Sequence, residues 1–102
     1  MIHVIAAIRA KAGRRSDLLN EFSALVPKVL AEAGCIEYGP TIDVDSGITG
    51  LPAARGDVVT VVEKWRDVAA LKAHLAAPHM LSYREAVKDM VADVEIRVLE
   101  AA

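Results

Sequence analysis

The chain has 102 residues, of which 54% are apolar and 25% charged, and its formal net charge is −2 at pH 7. This length and composition predict a single domain, 1-102, and exclude an intrinsically disordered chain. The slightly acidic balance excludes the basic footprint of a nucleic-acid-binding protein. No apolar run reaches the roughly 18 residues of a membrane span, and the first charges follow the apolar stretch, unlike those of a secretory signal. We therefore expect a cytoplasmic protein that binds neither nucleic acid nor membranes.

The first predicted elements are a strand and a long helix. Residues 2–9 are rich in β-formers, and a turn follows at Gly13. From residue 14 to residue 33 apolar side chains recur every three or four positions, which is the spacing of one helix face. Ser16 could cap this helix, and Pro27 should bend it because proline removes a backbone hydrogen bond.

A hairpin with a long connection is predicted next. Residues 35–45 alternate well enough for a strand, and Gly39-Pro40 within it indicates a bulge or an edge position. Residues 46–56 are rich in glycine and form a loop. Residues 57–66 carry the strongest strand pattern of the chain.

The last third of the chain predicts two helical pieces and a strand. Asp67 should cap a helix that runs to about Ala76, and Pro78 should begin a second piece that runs to about Val91. Residues 93–99 form the final strand. The order β-α-β-β-α-β predicts a ferredoxin-like α+β fold, in which a four-stranded antiparallel sheet carries the helices on one face.

Both faces of this predicted sheet carry apolar side chains. In the strand 57–66, valines share one face with Glu63 and Trp65, while Val58 and Val62 point to the other face. Helices can cover only one face, and an antiparallel sheet with one wet face should alternate cleanly. The simplest cover for the second face is the same face of a second copy, so the pattern predicts a homodimer joined through its sheet faces.

A few polar and aromatic side chains fall in apolar surroundings and are the candidate site residues. They are Tyr38, Glu63, Trp65, His74, His79 and Tyr83. Each also has a structural interpretation. A buried His74 needs only a hydrogen-bond partner, which Glu63 could supply, and Trp65 could simply fill the core.

Other chemistries find little support in the sequence. His74 and His79 are five positions apart with Pro78 between them, so they do not share a helix face and we expect no metal site. Cys35 is the single cysteine, and no neighbour marks it as reactive. The sequence has neither a nucleophile elbow nor a glycine-rich phosphate loop.

A longer pattern extends from the third strand into the second helical region. Glu63 begins the string E-x-W-x-D-x-x-A-L-x-x-H-x-x-x-P-H, which ends at His79. The run AGCIEY at 33–38 precedes it by one hairpin, and AKAG at 10–13 ends the first strand. In these motifs the chain resembles the antibiotic biosynthesis monooxygenase family, in particular its small quinol monooxygenase branch, over nearly its whole length.

The resemblance implies a dimeric α+β barrel that oxygenates a small electron-rich quinol or polyphenol with dioxygen, without flavin, haem or metal. A deprotonated quinol can itself pass an electron to dioxygen, so the protein need supply only a base, an apolar slot and exclusion of water. The resemblance suggests His74 as the base and Glu63 as the residue that holds its tautomer. The remaining candidates would bind substrate, as pocket walls or hydrogen-bond donors: Tyr38, Trp65, His79 and Tyr83.

The same fold hosts haem-degrading enzymes, which the chain resembles less. Those enzymes place an asparagine, a tryptophan and a haem-ligating histidine where this chain has Ala6, His74 and Arg84, so haem is not expected. The loop 46–56 is longer than the usual hairpin of the family and could fold over the pocket or a partner.

Two other functions would use the same residues. An isomerase or degrading enzyme for a small signalling metabolite would use His74 to move a proton, with no role for oxygen. A non-catalytic dimeric ligand-binding or stress protein would keep Glu63, Trp65 and His74 for stability alone. Oxygen consumption separates the first function from the second, and the third predicts binding without turnover.

Overall fold

The computed structural model describes all residues 1–102. The elements in chain order are β1 (Ile2–Ala10), α1 (Arg15–Leu30), β2 (Cys35–Thr41), β3 (Val58–Trp65), α2 (Val68–Leu75), α3 (Pro78–Val87) and β4 (Val91–Leu99). The strands form one antiparallel sheet in the order β2-β3-β1-β4. The predicted ferredoxin-like α+β fold is confirmed. None of the helices is long and apolar enough to cross a membrane.

Some element ends differ from the predictions. The helix α1 ends at Leu30 rather than at residue 33, because the chain turns there toward β2. Ser16 does not cap α1; Arg14 occupies the N-cap position and no side chain closes that end. The strand β2 stops at Thr41 rather than at residue 45, where its pairing with β3 ends.

The second helical region follows the sequence signals closely. Asp67 caps α2, and its Oδ1 accepts a hydrogen bond from the backbone N–H of Ala70 at 2.8 Å. Pro78 begins α3, as predicted, since its missing N–H costs nothing at a helix start. The helix α3 ends at Val87 rather than near Val91, because Val91 already pairs with β1 as the first residue of β4.

The strand β2 lies at an edge of the sheet, as Gly39-Pro40 indicates. A bulge falls earlier in the strand, where Cys35 pairs opposite Trp65 and Glu37 opposite Lys64. The extra residue lets Tyr38 point to the helix-covered face, opposite Glu63.

The helices pack on one face of the sheet and leave the other face bare. On β1 the buried residues alternate with half-buried ones, so Val4 and Ala6 lie beneath the helices while Ile5 and Ala7 point away from them. Ile5 pairs with Val62 on the bare face. The prediction that both faces carry apolar side chains is therefore confirmed.

A close approach joins the turn after α1 to the helix α2. Gly34 has φ +82°, and a Cβ built on it would lie 2.7 Å from Cβ of Ala70. Its carbonyl accepts a hydrogen bond from the N–H of Arg66 at 2.8 Å. Only glycine fits this contact without strain, and the contact brings the end of α1 against α2.

Candidate active site

A cavity of about 450 Å³ lies between the sheet and α3. Its wall is predominantly hydrophobic and includes Ala6 and Ile8 of β1 and Val94 and Ile96 of β4. Its polar and charged lining residues are Tyr38, Glu63, His74, Tyr83, Arg84 and Lys88. A concave apolar site with a few converging polar groups is the usual form of a small-molecule site, and its volume suits a small ring.

His74 lies on this wall with its side chain only 2% exposed. Its ring centroid lies 4.6 Å from that of Trp65 and 5.6 Å from that of Tyr38. The two aromatic neighbours restrict the tilt of the imidazole. The predicted place of His74, on the buried face of its helix, is confirmed.

The hydrogen-bond partner of His74 is Glu32, which the sequence reasoning missed. The Nδ1 of His74 lies 2.8 Å from Oε2 of Glu32, and Nε2 of His79 lies 2.9 Å from the same oxygen. Glu32 is in the turn after α1, 42 positions before His74. No local pattern in the sequence marks it; the only hint is its position just before Gly34, where the chain must turn.

Glu63 does not hold the tautomer of His74, which corrects the prediction. The Oε1 of Glu63 lies 4.0 Å from Nε2 of His74, too far for a hydrogen bond. That oxygen instead accepts the indole N–H of Trp65 at 2.9 Å. Glu63 remains close to His74 on the cavity wall, but its fixed partner is Trp65.

Burial sets the charge state of these groups. Burial lowers the pKa of His74, although the hydrogen bond to Glu32 opposes this effect, so the ring is neutral at pH 7. Burial raises the pKa of Glu63, and the hydrogen bond from Trp65 only partly opposes it. Burial also raises the pKa of both Tyr38 and Tyr83, so these phenols keep their protons and can donate hydrogen bonds.

The other candidates divide between the cavity wall and its support. Tyr38 and Tyr83 line the cavity, and the ring of Tyr83 packs 5.0 Å from that of Phe22. Trp65 is fully buried and lies behind His74, so the prediction that it forms a pocket wall is wrong. His79 also does not line the cavity, since its Nε2 points to Glu32.

Residues 42–57 do not reach the cavity of their own chain. The connection is closed at its base by an ion pair, in which Nε of Arg55 lies 2.8 Å from Oδ2 of Asp43. Its apolar side chains are exposed, among them Val44, Ile48 and Leu51. The prediction that this loop could fold over the pocket is therefore wrong for the pocket of its own chain.

The grouping of Glu32, His74 and His79 offers two imidazole nitrogens and a carboxylate oxygen within 4.8 Å of one another. The spacing of the histidines in sequence gave no hint of it, because the carboxylate comes from another element. Hydrogen bonds of 2.8 and 2.9 Å satisfy these atoms without a cation. Without a cation, the cluster offers the chemistry of a neutral imidazole paired with a carboxylate.

Similar proteins agree with this fold. The chain is 40% identical over 102 residues to the "probable quinol monooxygenase YgiN" of Escherichia coli K12, covering 98% of this chain and 97% of that one. The structure of PA3566 from Pseudomonas aeruginosa has a TM-score of 0.83 at 30% identity, covering 99% of this chain and 93% of that one. Rv0793 from Mycobacterium tuberculosis has a TM-score of 0.81 at 27% identity, with coverages of 99% and 94%.

A family profile gives the same result. The profile described as antibiotic biosynthesis monooxygenase matches residues 1–86. This range holds β1 through most of α3, and with it Glu32 and every candidate site residue named from the sequence. The chain therefore belongs to the antibiotic biosynthesis monooxygenase family.

Proposed function

We propose that this protein is a monooxygenase that oxidises a small electron-rich quinol or polyphenol with dioxygen, without a cofactor, and that His74 is its base. The family and the relative named a probable quinol monooxygenase support monooxygenase activity in general. The observation that carries the finer proposal is a neutral, buried imidazole on the wall of an apolar cavity of about 450 Å³.

The first step is removal of a proton from a substrate hydroxyl. The Nδ1 of His74 is engaged by Glu32, so the proton goes to Nε2. An imidazole that is neutral at pH 7 is suited to this step, and the apolar wall keeps water from competing for it. The neighbouring phenols of Tyr38 and Tyr83 would donate hydrogen bonds to the substrate oxygens.

The remaining steps need no external reductant. The substrate anion gives one electron to dioxygen, and the resulting pair of radicals joins to form a carbon–oxygen bond. The O–O bond of this peroxide then breaks as the same carbon loses its hydrogen. One oxygen atom becomes a carbonyl. The other takes up this hydrogen and the proton held on Nε2 of His74 and leaves as water, so the base is restored and the substrate supplies all the electrons that dioxygen takes up.

The homodimer belongs to the same proposal. The bare sheet face carries apolar side chains such as Ile5 and Val62, which pair across β1 and β3. The same face of a second copy is apolar in the same places, so a two-fold axis would match the two surfaces. Burial of this face in a dimer would explain why apolar and polar side chains do not alternate cleanly along the strands.

The test is oxygen uptake with a panel of small quinols and polyphenols, using protein freed of metal and flavin. The variant is His74→Asn, because the amide nitrogen of asparagine can still donate to Glu32 while the basic Nε2 is lost. We expect the wild-type protein to consume oxygen and the variant to lose at least about 100-fold in kcat, the lower range for a general base.

Three control measurements report substrate binding, folding and oligomeric state. Quenching of Trp65 fluorescence reports whether the variant still binds substrate, since the indole stacks near His74. Thermal unfolding shows that the variant is folded, and light scattering should give twice the 10.9 kDa chain mass. Binding with proton exchange and no oxygen uptake would instead support an isomerase, and binding with neither would support a ligand-binding protein.

A further inference from the structure

We propose that Glu32, held in place by His79, is a positioning residue that fixes the tautomer of His74 and so makes Nε2 the basic atom at the cavity. Its importance for turnover rests on the proposed function. The tautomer itself does not, and can be measured in protein without substrate. Glu32 does not line the cavity and acts only through the imidazole.

The proton positions follow from the carboxylate. An ionised carboxylate only accepts hydrogen bonds, so each nitrogen that contacts Oε2 of Glu32 must carry a proton. The contact to His74 is through Nδ1 at 2.8 Å, and the contact to His79 is through Nε2 at 2.9 Å. In its neutral form His74 thus carries its proton on Nδ1, and Nε2 keeps its lone pair.

No other group competes for the imidazole. Glu63 is the nearest carboxylate on the cavity side, but it lies 4.0 Å from Nε2 and accepts the indole N–H of Trp65 instead. Tyr38 meets the ring of His74 edge-on. Arg84 donates to the carbonyl of Leu75 at 2.8 Å. Glu32 is therefore the one side chain that hydrogen-bonds His74.

His79 gives the carboxylate its orientation. The exposed fraction of the side chain rises from 2% in His74 to 13% in Glu32 and 22% in His79, so the cluster leads from the core toward the surface. A carboxylate at the end of a flexible side chain would otherwise sample several rotamers. The second hydrogen bond, from the start of α3, fixes Oε2 opposite Nδ1 of His74.

Glu32 also stabilises the charged form of His74 after proton transfer. When Nε2 of His74 takes the substrate proton, the ring becomes a cation in an apolar site, and Glu32 is its counter-charge. The negative charge of Glu32 raises the pKa of His74 against the effect of burial. Removing that charge should therefore weaken the base as well as free the ring.

Nitrogen-15 NMR of the histidine rings tests the tautomer directly. In wild-type protein above pH 7 we expect the protonated type of signal from Nδ1 of His74 and the unprotonated type from Nε2. Glu32→Ala should shift His74 toward the Nε2-protonated tautomer. Glu32→Gln should keep the Nδ1 proton, because an amide oxygen still accepts it, but remove the charge.

Kinetics then separate the two effects. With an active quinol, Glu32→Ala should lower kcat at least about tenfold with KM nearly unchanged. Glu32→Gln should move the acid limb of the kcat profile to lower pH, because the pKa of His74 falls. Asp17→Asn is the matched control: it removes an exposed carboxylate that pairs with Arg14 at the start of α1, away from the cavity, and it should change neither property.

The outcomes distinguish the two proposals. A wild-type His74 protonated on Nε2, or an unchanged tautomer in Glu32→Ala, would overturn the role of Glu32. A signal that changes on dialysis against a chelator would also overturn it, since a cation would then hold Nδ1. If Glu32→Ala does not fold, His79→Ala and Glu32→Gln carry the test. If NMR shows the expected tautomer but no quinol gives oxygen uptake, Glu32 stands as the positioning residue and the monooxygenase proposal is rejected.

Discussion

The helices cover one end of a sheet face, at β3, and leave the other end, at β4, exposed, although the side chains at the two ends are alike. Val59 of β3 and Val94 of β4 both pair with Ile8 of β1, so they lie in one row across the face. Val59 is fully buried, whereas Val94 is 50% exposed. The helices α1 and α2 pack on β3, and the cavity opens where this cover ends, over β4. The pocket is therefore a gap in the helix layer, and Glu63 and His74 lie at its covered end.

This arrangement suits a site that must bury charge-bearing groups and admit an apolar ring. The hydrogen bond from Trp65 to Glu63 is buried under the helices, where water cannot replace it, and the one from His74 to Glu32 is partly buried. The open end offers Val94 and Ile96, which need no partner. Substitutions at the two ends can show whether this difference in cover is as large in solution as it is in the structure.

The largest loss of stability is expected for Trp65→Ala at the covered end. Trp65 is fully buried, and its loss would leave a large cavity and remove the hydrogen bond to Glu63. We expect the free energy of unfolding to fall by about 3–5 kcal/mol. Denaturant unfolding followed by circular dichroism measures this. A loss below about 1 kcal/mol would mean that the covered end is loosely packed.

A matched pair, Val59→Ala and Val94→Ala, tests the comparison itself. Val59→Ala should lower the free energy of unfolding by about 2 kcal/mol, because two buried methyl groups are lost. Val94→Ala should change it by less than about 0.5 kcal/mol, as is usual for exposed positions. Equal losses in the two variants would show that something covers β4 in solution, and the difference between the two ends would then disappear.

An effect on stability smaller than that of Val59→Ala concerns pH and Glu63. In the unfolded chain Glu63 loses its proton near the usual pKa of 4.5, whereas burial raises its pKa in the folded protein. The folded state then holds more protons above pH 4.5, so this group makes the protein less stable as pH rises through that window. Glu63→Gln has no proton to lose and keeps an oxygen that can accept from Trp65.

We therefore expect Glu63→Gln to raise Tm by a few degrees at pH 7 and to leave it nearly unchanged at pH 4. Thermal unfolding of both proteins across this range measures the difference. Because His74 titrates in both proteins, the difference between them isolates Glu63. A variant that is less stable than wild type at pH 7 would mean that the ionised carboxylate is fully compensated where it lies.

The sequence by itself determined the elements and their faces. Alternation along β1 and β3 and the helical spacing from Leu18 onward are local patterns, and each buries the side chains that it marks. The cap at Asp67 and the helix start at Pro78 are also local, because each depends on one residue and the next turn of chain. The burial of His74 follows from the spacing of its own helix.

Only the tertiary structure decided the partners within the site. Glu32 reaches His74 across 42 positions, because Gly34 lets the turn after α1 approach α2. Glu63 was the partner expected for His74, but the strand places it two residues from Trp65, whose indole N–H lies nearer. A hydrogen bond between distant elements depends on how they pack against each other. The hydrophobic periodicity within one element does not predict that packing.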